Sequence, residues 1–161
     1  MPIKVGDRLP NAKFRVTTPE GPAWKTTDDI FKGKKVALFA VPGAFTPTCT
    51  NLHMPSFLNN LAPIKGKGVD TIAVTAVNDV FVMKQWAKET GADGKIDVLA
   101  DGNGDFAKAI DMAFDGSVGG LGTRSRRYSM LVDNGVVKSL NIEEAPGKCE
   151  LSSGEALLKQ L

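Results

Sequence analysis

The chain has 161 residues, of which 42% are hydrophobic and 24% are charged, a composition typical of a globular protein with one core. Its net charge of +2 gives no strong field that would favour nucleic acid or an acidic membrane. The two cysteines, Cys49 and Cys149, are too few for a disulfide-stabilised fold and favour a reducing, intracellular location. We therefore expect a cytoplasmic protein with one domain, residues 1–161.

The N-terminal part is predicted to form short extended segments. Residues 13–17 alternate between polar and apolar side chains, the cluster 19–22 predicts a turn, and residues 23–26 can pair back as a hairpin. Residues 27–31 resemble one helical turn with a capping residue at its start. No apolar run at the N-terminus has signal-peptide length, and none elsewhere approaches the ~20 residues that span a bilayer.

Two apolar runs, residues 35–41 and 70–77, predict strands, and the second has the β-branched composition of a central parallel strand. A helix is expected over 80–90, capped by Asn78 or Asp79 and stopped by Gly91. A short strand at 96–100 and a short helix at 104–110 follow.

The C-terminal third begins with a glycine-rich loop at 115–122, whose glycines lack a phosphate-binding spacing and which we interpret as flexible. Residues 127–132 and 136–141 predict a hairpin that turns at 133–135. The end, 152–161, is predicted to be an amphipathic helix. This order predicts an α/β fold, a mixed sheet with helices on both faces.

The segment 42–50, Pro-Gly-Ala-Phe-Thr-Pro-Thr-Cys-Thr, links the strand at 35–41 to a helix that should run to about Leu61, with a bend at Pro55. Cys49 then lies where free backbone N–H groups and the positive end of the helix dipole favour thiolate over thiol. The alternative is an inert buried cysteine.

Two cysteine chemistries fit this segment poorly. A thiol-disulfide oxidoreductase would carry a second cysteine at position 46, where this chain has Thr46. A cysteine hydrolase needs a histidine base, and the only histidine, His53, follows Cys49 by four residues and is poorly placed for a substrate beyond the helix start. A packing or hydrogen-bonding role for His53 is expected, with tuning of Cys49 as the alternative.

The segment 42–49 resembles the active-site loop of the peroxiredoxins, and its Pro-Gly-Ala-Phe-Thr-Pro form resembles their type II branch, the peroxiredoxin-5 class. The likeness continues through His53-Met54-Pro55, Val77-Asn78-Asp79, Phe81-Val82-Met83, Trp86, Arg126-Arg127-Tyr128-Ser129-Met130 and Leu140-Asn141-Ile142-Glu143. The resemblance implies a thioredoxin-like fold and the reduction of peroxides.

The resemblance also assigns roles. Cys49 would be the peroxidatic nucleophile, and Thr46 would place its hydroxyl on the thiolate and the peroxide. Pro42 would shield the pocket from water, and Arg127 would stabilise the thiolate and the charge that develops on the peroxide oxygen. Arg124 and Arg126 are expected to be solvated.

Cys149 follows an exposed loop before the last helix. In some members of the family a cysteine near this position resolves the sulfenic acid as an intramolecular disulfide, so Cys149 is either a resolving cysteine or a passenger thiol. Without a resolving cysteine, a small thiol or glutaredoxin would have to reduce the enzyme.

The sequence thus predicts a thiol peroxidase that reduces hydrogen peroxide or alkyl hydroperoxides through a Cys49 sulfenic acid. Glutathione with glutaredoxin, or thioredoxin, would be the reductant, and no cofactor or metal is needed. The alternatives are a thiol-disulfide oxidoreductase and a redox sensor or holdase that uses the same cysteine. The resemblance suggests a homodimer built around the active-site edge, to which Phe45 could contribute.

Overall fold

A computed structural model describes residues 2–161. Its centre is a mixed sheet of seven strands: β1 (Lys13–Thr18), β2 (Gly21–Thr26), β3 (Lys35–Ala40), β4 (Thr71–Ala76), β5 (Asp97–Ala100), β8 (Tyr128–Asp133) and β9 (Val136–Ile142). Their order across the sheet is β2-β1-β5-β4-β3-β8-β9. The strands β3, β4 and β5 are parallel to one another, and the hairpins β1–β2 and β8–β9 pair antiparallel at the two sides.

Within the described residues, six α-helices surround the sheet: α1 (Thr27–Phe31), α2 (Met54–Leu58), α3 (Leu61–Lys65), α4 (Val80–Thr90), α5 (Asp105–Ala109) and α6 (Gly154–Leu158). Apolar side chains of α2, α3, α4 and α6 join one buried cluster, and those of α1 and α5 join a second cluster on the opposite face. Because both faces are covered, β3 and β4 are almost continuously apolar, as parallel strands in such sheets are. The predicted sheet with helices on both faces is confirmed.

The predicted β-hairpins and the capped helix are also confirmed. Asn134 and Gly135 have φ values of 49° and 80° in the turn between β8 and β9, the backbone shape that an Asn-Gly hairpin turn requires. Asp79 caps α4 by accepting from the N–H groups of Phe81 and Val82, and Gly91 ends the helix with a φ of 81°. None of the helices in the described part of the chain is long and apolar enough to cross a membrane.

The helix after Cys49 differs from the prediction that it runs to about Leu61. It begins at residues 47–48, passes through a π-helical turn (Cys49–His53) and ends with α2 at Leu58. The π-helical turn ends two residues before Pro55, which has no N–H and crowds the carbonyl of the preceding turn. The chain then turns and restarts as α3, because Pro63 is tolerated only in the first turn of a helix.

The expectation of a flexible loop at 115–122 was incomplete. A second, two-stranded sheet pairs β6 (Ala113–Asp115) with β7 (Thr123–Ser125), and a 3₁₀ turn (Ser117–Gly119) lies between them. The strands are only three residues long, which is too short for a recognisable alternation. The last helix, α6, is also shorter than the predicted 152–161; it starts after the N-cap Ser153, whose hydroxyl accepts from the N–H of Ala156.

Candidate active site

Cys49 lies beyond the carboxyl end of β3, in the first turns of the following helix. Its side chain is fully buried. The N–H of Met54 donates to the Cys49 carbonyl, a bond across five residues that defines the π-helical turn. Turns of this type occur often at functional sites because they widen the helix and displace one side chain from the regular spacing.

The loop 42–46 that leads to Cys49 is held by side chains from two other segments. Asn78 accepts from the N–H of Ala44 at 2.9 Å, and Arg124 donates to the carbonyl of Pro42 at 3.3 Å. Phe45 has a φ of 66°, a conformation that residues other than glycine seldom adopt outside functional loops. These contacts fix the loop against the ends of the strands.

Arg127 is brought to Cys49 by strand pairing. The strand β8 pairs antiparallel with β3 so that Tyr128 lies opposite Ala40, and Arg127 therefore reaches the edge at which β3 ends. Its Nη2 donates to Cys49 Sγ at 3.1 Å. Only 2% of Arg127 is exposed, so its charge is buried beside the sulfur.

The other hydrogen-bond acceptors around Arg127 are neutral. Nη1 contacts Nδ1 of His53 at 2.9 Å, and Nε and Nη2 donate to the carbonyl of Pro146 at 3.1 and 2.9 Å. A buried charge needs hydrogen bonds and a counter-charge to be tolerated. Of these hydrogen-bonded partners, only the sulfur of Cys49 can become an anion.

His53 has the hydrogen-bonding role that the sequence favoured. It is fully buried, and its Nε2 lies 2.8 Å from the carbonyl oxygen of Ser152. Burial first, and then the charge of Arg127, lower the pKa of His53 to about 3, although the bond to Ser152 opposes this shift. The imidazole is therefore neutral at physiological pH.

Thr46 and Pro42 lie in the loop next to Cys49. The Thr46 hydroxyl donates to the carbonyl of Gly43 at 2.6 Å, which leaves its oxygen able to accept. Pro42 is buried. The structure therefore gathers Pro42, Thr46, Cys49 and Arg127 around one loop and the start of one helix.

Cys149 is half-buried on the irregular segment 144–151, the C-terminal segment. The segment is bonded to the Cys49 helix where Thr48 donates to the carbonyl of Gly147 at 3.1 Å. Burial raises the pKa of Cys149 to about 11; Arg127 opposes this shift, while Glu143, Glu155 and Cys49 add to it. Cys149 and Cys49 are both free thiols.

Glu143 anchors the far end of the C-terminal segment. It is 4% exposed, and its Oε2 accepts from the N–H of Glu150 at 2.9 Å and from both the N–H and the hydroxyl of Ser152 at 2.6 Å. Three donors on one carboxylate oxygen fix the turn that precedes α6.

Sequence reasoning missed several of these roles. Arg124 was expected to be solvated, but it is partly buried and also donates to the carbonyl of Leu121 at 2.9 Å. Asn78 was considered as a helix cap, yet it holds the active-site loop while Asp79 caps the helix. No local signal separates Arg124 from Arg126 or Asn78 from Asp79, because each pair shares one charge or capping preference.

The described part of the chain, residues 2–161, contains no group of three or more His, Cys, Asp or Glu side chains that could hold a metal ion. The residues around Cys49 place a buried nucleophilic sulfur beside a fixed cation and a polar loop, an arrangement suited to nucleophilic chemistry at sulfur.

Comparisons with known proteins agree with this geometry. The sequence matches the Redoxin family over residues 4–158. Peroxiredoxin-2C of Oryza sativa subsp. japonica is 45% identical over 161 aligned residues, which are 99% of this chain and 99% of that protein. This chain is thus similar to a named peroxiredoxin over its whole length.

Two solved structures extend the similarity to the fold. The crystal structure of reduced Prx3 in complex with H2O2 from Vibrio vulnificus has a TM-score of 0.93 and 46% identity, with 98% of each chain covered. The crystal structure of peroxiredoxin 5 from Alvinella pompejana has a TM-score of 0.85 and 38% identity, with 98% of this chain and 97% of that chain covered.

Proposed function

The chain belongs to the type II branch of the peroxiredoxin family, has the thioredoxin-like fold and is a thiol-dependent peroxidase; from this membership we propose that Cys49 is its peroxidatic nucleophile. The observation that carries the proposal is the 3.1 Å hydrogen bond from Arg127 to Cys49 Sγ. Among residues 2–161, the buried guanidinium has no other hydrogen-bonded partner that can carry negative charge. It is therefore placed to pair with the thiolate, which is the form of cysteine that acts as a nucleophile.

In the proposed step, the thiolate of Cys49 attacks one oxygen of hydrogen peroxide or an alkyl hydroperoxide. An S–O bond forms, the O–O bond breaks, and the sulfur is oxidised by two electrons to sulfenic acid. The departing oxygen takes up a proton and leaves as water or alcohol. Arg127 stabilises both the attacking thiolate and the charge on the oxygens because its planar fork can serve two acceptors at once.

Thr46 and Pro42 shape the peroxide site in this proposal. The donor of the Thr46 hydroxyl is used on Gly43, so its oxygen presents lone pairs that can accept the O–H of the incoming hydroperoxide. That bond would align the O–O bond with the sulfur. Pro42, buried at the start of the loop, excludes water from the thiolate.

Cys149 is proposed to resolve the sulfenic acid. The thiol of Cys149 would condense with Cys49 sulfenic acid to form a disulfide and release water, so atoms and electrons balance. In the reduced structure the bonds of Thr48 and Arg127 to Gly147 and Pro146 hold the C-terminal segment in place. Cys49 is fully buried and these bonds restrain the segment, so we expect both the C-terminal segment and the first turn of the Cys49 helix to rearrange before a disulfide, which requires Cα atoms within about 7 Å, can form.

Glutathione with glutaredoxin, or thioredoxin, is proposed to return the enzyme to the dithiol. The test measures hydrogen peroxide consumption with each donor system, using wild type and Cys49→Ser. Turnover that depends on Cys49 supports the proposal, whereas a Cys49→Ser variant with wild-type turnover contradicts it. Parallel assays of protein disulfide reduction and of suppressed aggregation test the two alternatives, an oxidoreductase and a holdase.

We further propose that the single domain 1–161 forms a homodimer and is located in the cytoplasm. Large apolar side chains are exposed near the active-site loop: Phe45 is 49%, Phe81 69% and Leu121 37% exposed. Phe81 lies three residues after Asn78, which accepts from the N–H of Ala44. The carbonyl of Leu121 accepts from Arg124, which also donates to the carbonyl of Pro42. An apolar surface of this kind favours association. Sedimentation of wild type and Phe81→Ser tests it: a monomeric wild type contradicts the dimer.

A further inference from the structure

We propose that His53 is a positioning residue for peroxide reduction: it accepts from one arm of the Arg127 guanidinium and thereby fixes the other arm on Cys49. This inference rests on the proposed roles of Cys49 and Arg127 and adds a residue that acts through them. It does not require His53 to contact the peroxide or to move a proton.

The hydrogen-bond partners of His53 determine its tautomer. A carbonyl oxygen can only accept, so Nε2, 2.8 Å from the Ser152 oxygen, must carry the proton. Nδ1 then has a free lone pair, and it lies 2.9 Å from Nη1 of Arg127. The imidazole therefore donates at one end and accepts at the other, which fixes the plane of its ring.

Arg127 in turn is held at both terminal nitrogens. With Nη1 bonded to His53, the guanidinium can turn away from Cys49 only by breaking that bond and leaving a buried N–H without a partner. Because the fork is rigid, the position of Nη1 also sets the position of Nη2. The bond between Nη1 and His53 thus helps to set the distance from Nη2 to Cys49 Sγ, although His53 does not itself bond to the sulfur.

The other end of this arrangement lies in the turn before α6. Ser152, which accepts from His53, is bonded through its N–H and its hydroxyl to Glu143. A chain of hydrogen bonds therefore runs from Glu143 through Ser152, His53 and Arg127 to Cys49. A change in the conformation of the chain around residue 152 would therefore change the position of the Arg127 charge relative to Cys49.

Protonation of His53 would disrupt this arrangement. A second proton could be placed only on Nδ1, where it would point at an N–H of Arg127 and put two cations in contact. Burial and the charge of Arg127 prevent this, since they lower the pKa of His53 to about 3.

The test exploits the shapes of the two amide side chains. Asparagine places its oxygen near the position of Nδ1, so His53→Asn keeps an acceptor for Arg127. Glutamine places its nitrogen near Nε2, so His53→Gln keeps the donor to Ser152 but not that acceptor. The measurements are the second-order rate constant for hydrogen peroxide and the alkylation rate of Cys49 at neutral pH, each in the full-length chain lacking Cys149.

We expect His53→Gln and His53→Ala to slow both reactions about tenfold, the change expected when one hydrogen bond to a charged group is lost. His53→Asn should retain more of both rates than His53→Gln does. A role in packing alone predicts the opposite order, because glutamine is the larger side chain and fills more of the space between Phe39 and Phe57. Equal rates for the two amide variants, or faster reactions for His53→Gln, would overturn the inference.

Ser56→Ala is the matched control for loss of stability. The Ser56 hydroxyl accepts from the N–H of Gly154 at 2.9 Å and donates to the carbonyl of His53 at 2.6 Å. It therefore joins the same helix to the same C-terminal region without touching Arg127. We expect Ser56→Ala to lower the midpoint of urea unfolding while the rates of peroxide reduction and of Cys49 alkylation stay at the wild-type value. If both rates fall in proportion to stability in Ser56→Ala and in the three His53 variants, a positioning role for His53 is contradicted.

Arg127→Lys separates this inference from the function on which it rests. If Arg127→Lys is slow and the His53 variants are fast, the inference about His53 fails alone. If Arg127→Lys reacts as fast as wild type, the proposed role of Arg127 fails first, and the His53 inference fails with it.

Discussion

The guanidinium of Arg127 donates from Nη2 to the sulfur of Cys49 over 3.1 Å. The two residues are 78 positions apart in the chain, and the pairing of β8 with β3 brings them together. The same guanidinium nitrogen also donates to the carbonyl of Pro146. One buried cation thus serves both the nucleophile and the C-terminal segment that carries Cys149.

Arg127→Lys should slow peroxide reduction strongly while the fold persists. A lysine ammonium can approach Cys49 but cannot also satisfy His53 and Pro146 in one plane. The expected loss of transition-state stabilisation is about 2–4 kcal/mol, by analogy with the removal of one oxyanion donor. Stopped-flow rate constants for hydrogen peroxide measure it, and circular dichroism confirms the fold. A rate constant near the wild-type value would mean that another cation performs this role, and Arg124, which is bonded to Pro42, would then be examined.

Cys149→Ser tests whether the second thiol resolves the first. One equivalent of hydrogen peroxide should convert wild type to a form lighter by two hydrogens, with a peptide linking Cys49 and Cys149, since condensation of a sulfenic acid with a thiol releases water. Cys149→Ser should stop at the sulfenic acid, which dimedone traps, and depend on an external thiol. A free Cys149 in oxidised wild type, with full turnover on glutathione and glutaredoxin, would contradict a resolving role.

The sequence predicted the sheet well because its signals are local. The runs at 35–41 and 70–77 are apolar and rich in strand-forming residues, and the turn at Asn134-Gly135 has few alternatives. The strands β6 and β7 were not predicted because three residues are too few to show an alternation of polar and apolar side chains. Their pairing depends on contacts across the glycine-rich loop and not on the composition of either strand.

The site was predictable only in part from the residues themselves. Cys49 was identified by its place after a buried strand, but Arg127 was identified only by resemblance to a family, since an arginine at a strand start is usually solvated. The contacts of His53 with Arg127 and Ser152 could not be read from spacing. They depend on the π-helical turn, which places His53 toward the sheet, and on a carbonyl 99 residues away.

Gly154→Ala should destabilise the protein and loosen the C-terminal region. A Cβ atom at this position would overlap the backbone carbonyl group of Ser56, and backbone cannot move as easily as a side chain. The expected cost is about 1–3 kcal/mol, typical of overpacking. Urea unfolding measures it. Gly147→Ala is the control, because a Cβ there meets no atom within 4 Å; equal destabilisation by the two changes would contradict the steric argument.

His53 should make the stability of the protein depend on pH between about 6.5 and 3. It is the only histidine in the chain, and its pKa in the folded protein is lowered to about 3. Above the unfolded pKa of about 6.5 the imidazole is neutral in both states, so the full stabilisation is present. As the pH falls below that value, His53 binds a proton in the unfolded chain but not in the folded protein. The free energy of unfolding therefore decreases by up to about 1.4 kcal/mol per pH unit.

His53→Asn removes this titration and should flatten the decrease. Urea unfolding of wild type and His53→Asn at about pH 5 and about pH 7.5 gives the difference between their slopes. Carboxylates that also titrate in acid, including Asp101, whose pKa burial raises, occur in both proteins and cancel in this difference. We expect the wild type to lose more stability than the variant on acidification. Parallel curves would mean that the folded protein accepts a proton on His53 near pH 6, and the neutral imidazole that accepts from Arg127 would then be lost in mild acid.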